Sequence, residues 1–285
     1  MKIINGITET LINLALEEDG VFSDITTKEF VPKCKYARAT LIANNSGILC
    51  GTDLFVKVFK AIDKRCKVSL KMKDCSKLKR GDKILEITGP ARAILSGERT
   101  ALNFLQHMSG IATITNQFVQ SVSNGKTKIY DTRKTIPGYR RLAKYAVNCG
   151  GGTNHRMGLY DMVLIKDNHL KLTKDIIAKI AEFRKRYKDT PVEVECENTK
   201  EVNWALAAKA DIIMLDNTSL KNTKQMIDII RKSSTKQYKP EIEISGGITP
   251  KTAKEFSKLD VDRISVGMIT HSSQALDITL EVTIK

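Results

Sequence analysis

From about residue 127 the chain alternates short apolar runs with helical segments, and this rhythm restricts the fold more than any other feature of the sequence. The runs are Lys128-Ile-Tyr, Met162-Val-Leu-Ile, Val192-Glu-Val, Ile212-Ile-Met-Leu, Ile242-Glu-Ile and Arg263-Ile-Ser-Val. Helical patterns fill residues 175–187, 201–209, 221–232 and 250–259. Strand–helix alternation implies parallel strands joined by right-handed crossovers. This many units favours an α/β fold with a (β/α) barrel or near-barrel. An open doubly wound sheet is the alternative, but no Gly-x-Gly-x-x-Gly follows the first strand.

Each run ends in polar or small residues. The first ends in Asp131-Thr132-Arg133-Lys134, the second in Lys166-Asp-Asn, the third in Glu195 and the fourth in Asp216-Asn217. The fifth ends in Ser245-Gly246-Gly247 and the sixth in Val266-Gly267. In a barrel these C-terminal strand ends converge on one mouth, where active sites form. The last two carry small residues whose N–H groups approach an anion closely, so they are candidates for phosphate. Glu195 and Asp216 suit sugar hydroxyls, or Mg²⁺ held mainly by substrate phosphates. Their competing role is an internal ion-pair network with Lys134 and Lys166. His271 is either a cap on the phosphate loop or a structural histidine.

The stretch from Asp131 to His169 concentrates cationic chemistry. It holds four of the thirteen arginines, Arg133, Arg140, Arg141 and Arg156, and two of the four histidines, His155 and His169. A guanidinium grips carboxylate or phosphate through two parallel hydrogen bonds, whereas an ammonium is a point charge. Arg133, Lys134, Arg156 and Lys166, with His155 beside them, suit a small polyanion.

The first part reads as a small α+β unit. Residues 8–18 suit an amphipathic helix stopped by Asp19-Gly20, and residues 23–27 a polar turn. Residues 37–50 read as strand, turn and strand, and a helix follows from Asp53. Further strands are expected at 66–72 and 83–88, with a turn at 79–82 between them. A strong helical pattern covers residues 93–108. Within it, Arg99 beside Glu98 reads on pattern alone as a helix-surface ion pair. Residues 274–285 alternate as a strand with no helix after it, expected to join this first unit.

Composition excludes several classes. No apolar run approaches the roughly 18 residues of a membrane span, and the N-terminus lacks a signal-peptide apolar core, so a cytoplasmic location is expected. The six cysteines are scattered, with no Cys-x-x-Cys pair, and read as buried thiols rather than a disulfide or metal framework. The net charge of +15 raises a nucleic-acid reading. The lysines are spread along helix faces, however, and aromatics are only 6%. There is no stacking platform, so no nucleic-acid partner is expected.

Six motifs carry a family resemblance. They are Glu98-Arg99-Thr-Ala-Leu-Asn, Ser109-Gly-Ile-Ala-Thr, Asp131-Thr-Arg-Lys-Thr, Gly150-Gly-Gly-Thr-Asn-His-Arg-Met-Gly-Leu, Ile165-Lys-Asp-Asn-His and Ser245-Gly-Gly-Ile-Thr. Together they resemble quinolinate phosphoribosyltransferases over nearly the whole chain. The resemblance implies an N-terminal α/β sandwich (residues 1–108, joined by 272–285) and an incomplete parallel (β/α) barrel (109–271). It also implies transfer of a phosphoribosyl group from phosphoribosyl pyrophosphate to quinolinate. The products are nicotinate mononucleotide, CO₂ and pyrophosphate, with Mg²⁺, on the de novo path to NAD.

By motif, Arg133, His155, Arg156 and Lys166 would hold quinolinate, with Thr132 beside them. Lys134, Glu195 and Asp216 would engage the ribosyl pyrophosphate and its Mg²⁺. Lys134, Lys166, Glu195 and Asp216 are the expected catalytic residues. Ser245, Gly246 and Gly247, with Val266, Gly267, Met268 and His271, would take the 5-phosphate. The resemblance also implies a homodimer or dimer-based oligomer in which Arg99 reaches the neighbouring site, reversing the pattern-only reading. A pyrophosphorylase-like protein associated with molybdate transport and a nicotinate-specific phosphoribosyltransferase are the alternatives. The two-carboxylate clamp argues against the latter.

Overall fold

The computed structural model describes residues 6–122, 125–173 and 175–283. The chain starts with α1 (Gly6–Glu18), which buries Ile12 and Leu16 one turn apart, and then α2 (Ile25–Phe30). The stretch expected as a polar turn is in fact the start of α2. The Asp24 carboxylate accepts the Thr27 N–H at 2.9 Å and caps the helix. β1 (Tyr36–Ala43), β2 (Gly47–Ile48), α3 (Thr52–Ile62), β3 (Lys67–Leu70), β4 (Lys77–Leu78) and β5 (Lys83–Pro90) follow.

α4 (Ala91–Ser121) runs for 31 residues, well past the expected end at Met108. Its mid-helix Gly110 has a steric reason. A Cβ there would lie 1.9 Å from the Gln274 carbonyl oxygen, so the returning chain crosses at this point. A glycine in a helix interior costs roughly 1 kcal/mol against alanine, and here the close approach requires it.

The remaining elements alternate. They are β6 (Lys128–Tyr130), α5 (Arg140–Cys149), β7 (Val163–Ile165), α6 (Asp167–Leu172), α7 (Ile176–Arg186), β8 (Val192–Cys196) and α8 (Thr199–Ala207). Then come β9 (Ile212–Asp216), α9 (Leu220–Ser233), β10 (Glu241–Ser245), α10 (Pro250–Phe256), β11 (Arg263–Ser265), α11 (Met268–His271) and β12 (Ile278–Thr283). No described helix is long and apolar enough to cross a membrane.

The chain forms two compact units. The first holds residues up to Asn116, Thr135–Gly151 and residues from Met268. Its main sheet has the order β12-β1-β5-β3, and β12 pairs antiparallel with β1 in the register Leu41↔Leu280. The last strand therefore joins the first unit, as its alternation suggested. Leu41, Phe55, Phe59, Leu85 and Ile87 are fully buried in its core.

The second unit holds Gln117–Lys134 and Gly152–Gly267. Its six-stranded sheet has the order β6-β11-β10-β9-β8-β7, with every pairing parallel. Among the described residues the end strands β6 and β7 are not paired with one another, so the barrel is incomplete. β8 is buried along its whole length, as a parallel strand covered on both faces must be.

Candidate active site

The six parallel strands deliver their C-terminal ends to one cavity of about 190 Å³. Thr132, Arg133 and Lys134 enter it after β6, Lys166 after β7, and Glu195, Asp216 and Ser245 from β8, β9 and β10. His155 and Arg156 join them, with Leu164, Met214 and Ser265 completing the wall. Nine sequence-predicted residues thus share one cavity.

Asp131 fixes the segment that carries His155 and Arg156. It is fully buried, and its Oδ1 accepts the His155 N–H at 2.8 Å while Oδ2 accepts Asn154 Nδ2 at 2.7 Å. Backbone pairing of Thr153 with Ile129 and Asp131 carries the segment along β6. A carboxylate at the strand end thereby converts a glycine-rich loop into a placed one. The Arg156 guanidinium donates to the Met162 carbonyl at 3.2 Å. Burial, and then the charge of Arg133, hold Arg156 below the usual arginine range. Two guanidiniums that repel each other in one cavity are an arrangement that an incoming anion relieves.

His155 is tied down at both ring nitrogens. Its Nδ1 accepts the Arg156 N–H at 2.8 Å. Its Nε2 lies 3.1 Å from Glu193 Oε2 and 3.4 Å from Glu243 Oε1, and both carboxylates are fully buried. Side chains two apart on a strand face the same way, so Glu193 and Glu243 sit one step below Glu195 and Ser245. Burial opposes a charged His155 ring, but the two carboxylates override it and push the ring up to about 9. Burial, with the charge of Glu243, raises Glu193 to about 7. Both His155 and Glu193 therefore hold their protons to higher pH than they would in water. The Arg156 N–H occupies Nδ1, so Nε2 is the nitrogen that faces the two carboxylates. His155 thus serves as a post that sets the Arg156 backbone.

Above this layer, Lys166 forms an ion pair with Glu195, and Asp216 Oδ2 accepts Asn217 Nδ2 at 2.7 Å. The Thr132 hydroxyl accepts the Lys134 N–H at 3.0 Å, which folds the 132–134 turn. The backbone N–H of Lys166 donates to His169 Nδ1 at 3.0 Å. This bond starts α6 directly after the strand, a helix that the sequence pattern had not indicated.

Gly246 and Gly247 have φ of +93° and +58°. A Cβ on Gly246 would stand 2.1 Å from Asn217 Oδ1, so the β9 and β10 turns interlock only through glycine. Val266 is buried, and its N–H goes to the Tyr130 carbonyl at 2.9 Å. Gly267 closes the second unit, whereas Met268 and His271 belong to the first unit. His271 Nδ1 lies 2.6 Å from Ser272 Oγ. Arg99 also belongs to the first unit, where it is exposed on α4 and has no hydrogen-bond or ion-pair partner among the described residues.

Asp131, Glu193 and Glu243 shape the site, yet the sequence reading did not single them out. A signal was present: acidic residues stand inside the otherwise apolar runs of β8 and β10, in phase with Glu195 and Ser245. Among the described residues, two groups bring three potential metal ligands together, His155 with Glu193 and Glu243, and Cys50 with Asp74 and Cys149. The expected Mg²⁺ ligands Glu195 and Asp216 are in neither group. As hard oxygen donors on adjacent strands lining one cavity, they do fit a Mg²⁺ that takes most of its ligands from substrate.

Comparison with known proteins agrees with this geometry. The chain matches the quinolinate phosphoribosyl transferase N-terminal domain over residues 24–109 and the C-terminal domain over residues 111–281. It is 41% identical to a probable nicotinate-nucleotide pyrophosphorylase [carboxylating] of Methanocaldococcus jannaschii, covering 95% of this chain and 96% of that one. It is 38% identical to a probable nicotinate-nucleotide pyrophosphorylase [carboxylating] of Bacillus subtilis, covering 96% and 93%. The solved structure of the nicotinate-nucleotide pyrophosphorylase from Francisella tularensis superposes with a TM-score of 0.91 at 41% identity, covering 99% of this chain and 98% of that one. With both domain models matched and relatives this similar over nearly their full length, the chain belongs to the quinolinate phosphoribosyl transferase family.

Proposed function

We propose that this protein converts quinolinate and phosphoribosyl pyrophosphate to nicotinate mononucleotide, CO₂ and pyrophosphate, a step of NAD biosynthesis. One observation carries the reading. Four cationic side chains, Arg133, Lys134, Arg156 and Lys166, line a single cavity with two carboxylates, Glu195 and Asp216. A site for a neutral or singly charged substrate has no use for so much positive charge.

Arg133, Arg156 and Lys166 hold the two quinolinate carboxylates, with His155 and Thr132 fixing the turns that present them. Lys134 engages the ribosyl pyrophosphate, and the 245–247 turn and the 266–268 backbone take the 5-phosphate. As the bond to pyrophosphate breaks, positive charge develops on the ribosyl carbon, and Glu195 and Asp216 steady it. The pyridine nitrogen, held in line, attacks that carbon. The ring then carries positive charge, which stabilises the carbanion left when the 2-carboxylate departs as CO₂, and a proton from solvent then completes that ring carbon. No protein nucleophile is required, so the residues act by positioning and electrostatics. Glu195 and Asp216 would hold Mg²⁺, which when bound would add positive charge near the pyrophosphate leaving group.

The same reading makes the protein a dimer or dimer-based oligomer whose exposed Arg99 completes the neighbouring site. It also places the protein in the cytoplasm, which the six free thiols support.

The test is purified protein with phosphoribosyl pyrophosphate and Mg²⁺, offered quinolinate and nicotinate in parallel. Mononucleotide and CO₂ from quinolinate alone are expected. Product from nicotinate alone overturns the two-carboxylate clamp. No product from either substrate, with folded protein, overturns the enzymatic reading.

A further inference from the structure

The first unit carries a thiol cluster that phosphoribosyl transfer does not use. Cys75 Sγ lies 2.7 Å from Cys149 Sγ. Cys75 is exposed, whereas Cys149, the last residue of α5, is buried. A third buried thiol, Cys50, lies within 4.8 Å of Cys149 and of the Asp74 carboxylate.

The Asp74 carboxylate is already committed. Its Oδ2 accepts the Gly51 N–H at 2.9 Å and the Tyr145 hydroxyl at 2.9 Å. Its Oδ1 accepts the Thr52 N–H at 3.0 Å and the Thr52 hydroxyl at 2.8 Å. With four donors on two oxygens, it clamps the start of α3 rather than offering a lone pair to a metal. The ligands left to the cluster are therefore its thiols.

Register favours one pair. Tyr145 and Cys149 are one turn apart on α5 and share a face. They meet the consecutive residues Asp74 and Cys75, so the Asp74–Tyr145 hydrogen bond fixes the approach of the two sulfurs. Cys75 itself is held at φ 69°, a left-handed conformation. Hydrogen bonding from Cys50 first, and then from Cys75 and Tyr145, holds the Cys149 thiol down at about 7 against the effect of burial. Burial pushes Cys75 up to about 12. Cys149 is accordingly the thiolate and Cys75 the thiol that reaches solvent.

We infer that Cys75 and Cys149 form a reversible dithiol–disulfide modification site that reacts with hydrogen peroxide. The Cys149 thiolate attacks one peroxide oxygen, the O–O bond breaks, and hydroxide leaves, taking a proton to become water. This gives the Cys149 sulfenic acid. The Cys75 sulfur, losing its proton, attacks the sulfenic sulfur and displaces hydroxide, which leaves as a second water. Two thiols are oxidised and one peroxide is reduced. The product ties the end of α5, directly before Gly150-Gly151-Gly152, to the loop between β3 and β4.

The experiment treats the full-length protein with a small excess of hydrogen peroxide and maps its peptides without reduction. A Cys75–Cys149 linked peptide is expected, with a loss of two hydrogens from the chain, reversed by dithiothreitol. The oxidised protein should unfold at higher urea than the reduced protein, because a cross-link restricts the unfolded chain. Cys75→Ser alters an exposed side chain and should abolish both effects, whereas Cys34→Ser should leave both intact. Sulfinic or sulfonic acid on either cysteine without the linked peptide overturns the proposal, as does a Cys50–Cys149 link in its place.

Discussion

His155 Nε2 stands 3.1 Å from Glu193 Oε2, both side chains buried beneath the cationic cavity. This contact places a buried imidazole–carboxylate pair one layer under the residues proposed to hold substrate, and it has a consequence for stability. Folding raises His155 from its ordinary 6.5 to about 9 and Glu193 from 4.5 to about 7. A group whose pKa rises on folding contributes stability that is present at low pH and lost as pH climbs through the folded value. The unfolding free energy measured in urea should therefore fall from pH 4.5 to 9, by at most about 1.4 kcal/mol per pH unit for each group that titrates, Glu193 up to about pH 7 and His155 from 6.5 upward. Glu193→Gln should flatten that slope. A wild-type stability that is level across the window rules out the raised values of His155 and Glu193.

Arg133 tests the carboxylate clamp. Charge-assisted hydrogen bonds are worth about 1.5–3 kcal/mol each, so Arg133→Ala should lower kcat/KM for quinolinate roughly ten- to a hundredfold or more. Arg133→Lys should recover only part of the loss, because an ammonium lacks the bidentate fork. Steady-state kinetics with each substrate varied in turn decides the matter, and near-normal values for the alanine variant remove Arg133 from the site.

Gly246 tests the interlocked turns. Alanine there combines φ +93° with a contact of 2.1 Å to Asn217 Oδ1, so the β9 and β10 ends must separate. Gly246→Ala should cost on the order of 1–3 kcal/mol of stability and raise KM for phosphoribosyl pyrophosphate more than KM for quinolinate. Denaturation and kinetics on one preparation separate the two effects. An equal rise in both KM values argues against a phosphate role for this turn.

Arg99 tests the shared site. Arg99→Ala should lose activity with little change in thermal stability, since the side chain is exposed and without a partner among the described residues. Lys166→Ala should also be inactive. Mixed and allowed to exchange subunits, the two variants should regain a fraction of wild-type turnover, because one site of each hybrid has every residue intact. If the mixture stays as inactive as its components, Arg99 serves its own chain.

Much of the architecture was legible in the one-dimensional pattern. The six mainly apolar runs became six parallel strands because a strand covered on both faces is written mostly in apolar residues, even where Glu193 and Glu243 interrupt it. Their polar ends marked the site because βα loops all open at one face. β12 was readable from its alternation. The length of α4 was not, because Gly110 looks like a helix stop unless the chain crossing at Gln274 is known. α6 was missed because the bond that starts it, Lys166 N–H to His169 Nδ1, is a matter of side-chain direction.

What the sequence by itself determined is the order of elements, the family and the inventory of charges that a polyanion site requires. Tertiary structure alone decided how those charges are held. Asp131 reaches 24 residues ahead to the His155 N–H, and Glu193 and Glu243 meet one imidazole from strands that flank β9. Cys75 meets Cys149 across 74 residues. Local propensity acts over a few bonds, whereas these contacts depend on which faces the sheet turns inward and on what burial does to a charge once it is there.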